Sequence, residues 1–75
     1  MSIEEKYLIN KLTRDLIAYV MEDFGVTMTE AMSMVYYSEL YAKILDTETG
    51  LYYQSSDYNY EMLKRELKTG TFVPE

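Results

Sequence analysis

Apolar residues recur at helical spacing from the start of the chain. Leu8, Ile9, Leu12, Leu16, Tyr19, Val20 and Phe24 share one face of a helix, while Lys11, Arg14, Asp15 and Glu22 share the other. The pattern predicts an amphipathic helix over residues 3–24. A capping box, Ser2-x-x-Glu5, opens it, and Gly25 closes it as the left-handed residue past a helix end. A second capping box, Thr27 with Glu30, opens the next helix, predicted over 28–45. So short a link implies an antiparallel pair.

This central stretch is apolar nearly all the way round. Met34, Tyr37, Tyr41, Ile44 and Leu45 cluster on one side, widened by Met28, Ala31, Val35 and Ala42; Met32, Tyr36 and Leu40 form a second stripe on the other. A helix of that kind must be covered on more than one side. Asp46-Thr-Glu-Thr-Gly50 is a run of turn residues in which Gly50 supplies positive φ. Leu51-Tyr-Tyr-Gln54 has the composition of an extended segment, which either lies over the core or pairs with its own copy in a dimer. Ser55 or Ser56 then caps a third helix over 57–69, with Tyr60, Leu63 and Leu67 as its stripe and Tyr58 and Met62 on a flank. The expected fold is all-α in one domain, 1–75: a long antiparallel helical hairpin, an extended crossover, and a shorter third helix packed on the central one.

Composition narrows the chemistry. Cys and His are both absent, which removes disulfides, thiolate metal sites, the commonest metal ligand and the usual general base. No metal and no cofactor is therefore expected. The net charge of −6 is uneven: between Glu22 and Leu63 the only base is Lys43. Nucleic-acid binding calls for the opposite sign, so no nucleic-acid partner is expected. No apolar run is long enough for a membrane span, and residues 1–20 lack a signal-peptide core, which points to the cytoplasm. A domain this small is only marginally stable by itself, and self-association is a common supplement.

Nine tyrosines are the least ordinary feature. Tyr buries a large ring yet needs a partner for its hydroxyl, so it suits the edge of a small core or an interaction surface. The methionines Met28, Met32 and Met34, near Met21, fit either a core or an adaptable groove. Asp46 to Gly50 departs from a calcium loop, because glycine falls fifth and the twelfth residue is Asp57. No nucleophile elbow and no glycine-rich phosphate loop occurs.

The second half resembles a group of small, uncharacterised bacterial helical proteins that read L-Y-x-K-(I/L)-x-D-x-x-T-G-L-Y-x-Q-S and then Y-x-Y-x-x-L-x-x-E-L. Here the matching residues are Leu40-Tyr41, Lys43, Asp46, Thr49 to Tyr52, Gln54-Ser55, Tyr58, Tyr60, Leu63, Glu66 and Leu67. Such proteins often carry proline after the serine, where this chain has Ser56, which puts the cap position in question. Some are encoded near toxin–antitoxin-like genes, so the resemblance implies a protein-binding role.

Together these features predict a non-enzymatic protein-interaction module, self-associating as a homodimer, open to a heterologous protein partner and antitoxin-like. Its expected surface is Met32, Tyr36 and Leu40 with Tyr52 and Tyr53; Thr27, Glu30, Asp46, Gly50 and Ser55 are its turn and cap residues. The alternative is a small ligand-binding or enzymatic domain using Tyr and carboxylate side chains in a cleft. A flat apolar stripe would favour the first, and a pocket of Tyr hydroxyls and carboxylates the second.

Overall fold

The computed structural model describes residues 1–70, and residues 71–75 of the expected domain lie outside the described residues. The fold is all-α. Four helices, α1 (Ile3–Phe24), α2 (Met28–Tyr36), α3 (Glu39–Leu45) and α4 (Ser56–Thr69), make up most of the described residues, with two 3₁₀ turns, Thr47–Thr49 and Leu51–Tyr53, between α3 and α4.

Local signals set the ends of the first hairpin. Ser2 N–H donates to Glu5 Oε1 at 2.8 Å and Glu5 N–H donates to Ser2 Oγ at 3.1 Å, closing the capping box. Gly25 ends α1 at φ +63°, and Gly25 N–H reaches the Met21 carbonyl. Thr27 N–H then donates to Glu30 Oε1 at 2.9 Å while Glu30 N–H donates to Thr27 Oγ1 at 3.2 Å. Only Gly25 to Thr27 separates the two helices, so α2 packs back antiparallel on α1.

The central helix is not continuous, which corrects the expectation of one helix over 28–45. Tyr37 sits at φ −92°, ψ 3°, and Ser38 is extended at φ −76°, ψ 152°. Ser38 Oγ accepts from Tyr41 N–H at 3.1 Å and donates to the Val35 carbonyl at 2.6 Å, so one hydroxyl serves both helix ends. The remaining free amides of the new start go to α4: Glu39 N–H donates to Glu66 Oε2 at 2.8 Å and Leu40 N–H to Glu66 Oε1 at 3.0 Å. A buried carboxylate at a helix N-terminus satisfies two otherwise orphaned donors and sits at the favourable end of the dipole. The break also resets the helical phase. Leu40 and Ile44 become fully buried, whereas Tyr37 is left 89% exposed, out of the stripe it was expected to join.

The crossover is also corrected. Leu51–Tyr53 is a 3₁₀ turn with Tyr53 N–H on the Gly50 carbonyl at 3.1 Å, and Gln54 alone of that segment is extended. Asp46 Oδ1 caps the preceding turn through Glu48 N–H, and Gly50 adopts φ +71°, as the turn required. The segment covers the core: the Tyr52 ring is buried, and its hydroxyl donates to Glu5 Oε2 at 3.1 Å. Having no extended strand, it offers no ladder to a second copy.

Ser55 is the cap of α4, accepting from Tyr58 N–H at 3.0 Å, while Ser56 Oγ instead donates to Asp15 Oδ2 at 2.5 Å. That bond, the largest of several influences, holds the Asp15 carboxyl below the usual carboxylate range. Asn59 is wholly buried beneath the turn, its amide donating to the carbonyls of Leu51 and Ser55 at 2.9 and 3.1 Å. The core unites Leu12, Leu16 and Val20 of α1 with Val35, Leu40, Ile44 and Leu63. Helix α4 thus lies on α1 as well as on the α3 part of the central stretch.

Candidate functional site

Two surface features stand out, one apolar and one polar. The first is a groove of about 400 Å³ between α1 and α2, lined by Ile17, Ala18, Met21, Met28, Met32 and Tyr36, with Arg14 at its edge. Helix α2 lies antiparallel to α1, so Arg14 and Tyr36 share one end and Met21 and Met28 the other. Met28 is 59% exposed and Tyr36 44%; Met32 is half-buried between them. Outward-facing Thr29, Ser33 and Tyr37 extend this surface without adding charge.

Of the expected interaction residues, Met32 and Tyr36 therefore meet in one groove. Leu40 does not join them. It is fully buried in the core because the break at Ser38 rotates it inward. Tyr52 is likewise buried, and stacks on Tyr53 with ring centroids 4.4 Å apart. Tyr53 is exposed but lines a separate cleft with Lys11, Gln54 and Ser56. Leu40 presents no surface and Tyr52 only an edge at that separate cleft, which corrects their assignment to the groove face. Sequence reasoning missed Ile17 and Ala18, whereas it set Met21 near the candidate methionine groove. The signal was present as an i, i+4 apolar pair, Ile17 and Met21, on the flank of the α1 stripe.

The second feature is a cleft of about 260 Å³ between α1 and α4, lined by Tyr19, Glu22, Asp23, Asp57, Glu61 and Lys64 around Tyr60. Tyr60 hydroxyl donates to Asp23 Oδ2 at 2.8 Å, and Tyr19 hydroxyl donates to Asp57 Oδ1 at 3.1 Å. The two rings meet edge-on at 5.1 Å, and Lys64 Nζ lies 3.8 Å from Asp23 Oδ2. Burial first, and then the Asp23 hydrogen bond, push the Tyr60 phenol up, just as burial pushes up that of Tyr52. The Tyr19 phenol is raised chiefly by its bond to Asp57. Both cleft phenols are thus held protonated and engaged, joining α1 to α4. Among the described residues no group of three acidic side chains is placed to hold a metal ion.

The raised phenols tie part of the fold's stability to pH on the alkaline side. Unfolded tyrosines ionise near pH 10, whereas the folded state keeps Tyr52 and Tyr60 protonated beyond it. Their contribution to stability is then fully present below about pH 10 and is lost as pH rises above it. Thermal melts between pH 8 and 11 are expected to be flat at first and then fall. The Tyr52→Phe/Tyr60→Phe variant should fall less steeply, and an equal slope would show that neither phenol is held protonated.

No protein-family model matches this chain, and neither a curated protein nor a solved structure matches it. No helix among the described residues is long and apolar enough to cross a membrane.

Proposed function

We propose that the chain is a non-enzymatic protein-interaction module of the bacterial cytoplasm, antitoxin-like in acting by binding another polypeptide, and self-associating. The observation that carries this reading is the α1–α2 groove. A protein with net charge −6 gathers methionine, isoleucine and tyrosine here, and among the described residues the only charged one lining the groove is Arg14. Depletion of charge at the centre, with Met, Tyr and Arg enriched, is the composition of an interface core. Methionine adds a surface that adapts to the side chains it meets. The alternative, a small ligand-binding or enzymatic domain, would use the Tyr19–Tyr60 cleft; the prior engagement of both hydroxyls weighs against it.

A benzophenone photo-crosslinker placed at Ala18, inside the groove, tests the reading against one placed at exposed Glu48. Irradiation of bacterial cells producing the full chain is expected to give a covalent protein adduct from position 18 and none from position 48. An adduct of twice the chain mass means self-association, and an adduct of another mass a heterologous partner. No adduct from position 18 would overturn the proposal.

A further inference from the structure

We propose that the groove methionines form an oxidation site: a peroxide converts Met28 first, then Met32 and Met21, to sulfoxides, and so reversibly weakens docking. The inference rests on the reading of the chain as an interaction module and adds how its groove is regulated. Cys, Trp and His are absent, so the thioether is the side chain here that takes an oxygen atom readily from a peroxide. Of the six methionines, Met21, Met28 and Met32 line this one groove. The others are Met1 at the start of the chain, Met34 packed against the core, and Met62 within it.

The step is a two-electron oxygen transfer. A sulfur lone pair attacks one oxygen of hydrogen peroxide, and the S–O bond forms as the O–O bond breaks. The proton of the transferred oxygen passes to the departing hydroxide, which leaves as water. Sulfur is oxidised and the peroxide is reduced. A thiol must ionise before it reacts, but a thioether carries no proton, so access decides the order. Met28 is 59% exposed, close to Met1 at 65%, whereas Met62 is 3% exposed. Met32 shares its face of α2 with Met28, four residues on, and is half-buried, as is Met21 across the groove.

Oxidation replaces a flexible apolar side chain by a polar one. In the open groove the new oxygen faces water, so the fold is left unperturbed. A docked polypeptide would bury that oxygen, and a buried acceptor without a donor disfavours the complex. Arg14, the cationic donor of the groove, stands at the end away from Met28 and does not offset this. The core is kept apart from the switch. Its buried side chains are Leu, Ile, Val, Ala and Tyr, and among the described residues Met62 is its only buried methionine.

Peptide mapping by mass spectrometry, on the full folded chain treated with hydrogen peroxide, tests the site. Met28 should gain oxygen within about threefold of the rate of Met1, and at least about tenfold faster than Met62. Far-UV circular dichroism should be unchanged once Met28 is fully oxidised, and methionine sulfoxide reductases should return the parent mass. The photo-crosslinker at position 18 then reads docking, in cells exposed to hydrogen peroxide before irradiation. Its adduct yield should fall at least about fivefold. Met21→Leu/Met28→Leu/Met32→Leu conserves volume and should keep its adduct under the same peroxide, and Met28→Leu alone should keep most of it. Oxidation of Met28 no faster than that of Met62 overturns the proposal. So does an adduct that peroxide leaves unchanged, or one lost equally from the leucine variants. Ordered oxidation with no adduct even from untreated cells removes the interaction module and its switch, and leaves an oxidation site alone.

Discussion

Leu16→Ala is expected to lower the unfolding free energy by about 2–5 kcal/mol, enough to unfold much of the population at room temperature. Leu16 has no exposed surface and lies mid-way along α1, in the core that α2, α3 and α4 close over. Truncation removes apolar contacts and leaves a cavity that the surrounding helices cannot fully close. A domain of 75 residues with no disulfide holds only about 5 kcal/mol against such a loss. Ile17→Ala, one position on, is the matched control. Ile17 is only half-buried and lines the groove, so its loss should cost about 1 kcal/mol, less than half that of Leu16→Ala. Urea unfolding followed by circular dichroism checks the pair. Equal midpoints for Leu16→Ala and the parent would mean that the buried face of α1 is wrongly assigned.

That face was legible in the sequence because every signal for it is local. The period of Leu12, Leu16 and Val20, the Ser2–Glu5 and Thr27–Glu30 boxes, and the turn at Gly25 each act within a few residues. Gly50 was legible for the same reason, and the cap of α4 was narrowed to Ser55 or Ser56, of which the structure uses Ser55. The break at Ser38 was not. With no proline or glycine nearby, residues 28–45 read as one helix, and the groups that hold the break open come largely from Glu66, 26 and 27 residues away. No periodicity argument contains a partner at that separation.

The candidate surface was half legible for a connected reason. Met32 and Tyr36 precede the break, so their helical phase was read correctly, and both reach the groove. Leu40 follows it, and a phase carried across Ser38 placed on the surface a side chain that is wholly buried. Tyr52 was misplaced by the turn instead. A 3₁₀ segment rather than an extended one points its ring into the core and its hydroxyl to Glu5. The break thus separates the groove from the core: α2 keeps one apolar flank free while α3 turns Leu40 and Ile44 inward and leaves Leu45 45% exposed.

Glu66→Ala tests whether that break is held from outside. The substitution removes both carboxylate oxygens from the start of α3 and leaves Glu39 N–H and Leu40 N–H without acceptors, the second on a residue with no exposed surface. Losing a capping acceptor costs about 1 kcal/mol, and hydrogen bonds to a charged group contribute about 1.5–3 kcal/mol each, with water replacing part of the loss at Glu39. A decrease of about 2–4 kcal/mol is therefore expected, large for one polar side chain. Glu66→Gln keeps one carbonyl acceptor and should fall between the parent and Glu66→Ala. Amide hydrogen exchange distinguishes a lost cap from a general loss of stability. In Glu66→Ala the amides of Glu39 and Leu40 should lose more protection than that of Leu16, because α3 frays before the hairpin opens. If instead all amides lose protection equally, Glu66 contributes to the global fold without holding the break. Unchanged protection at Leu40 would leave Ser38 alone as the residue that divides the central helix.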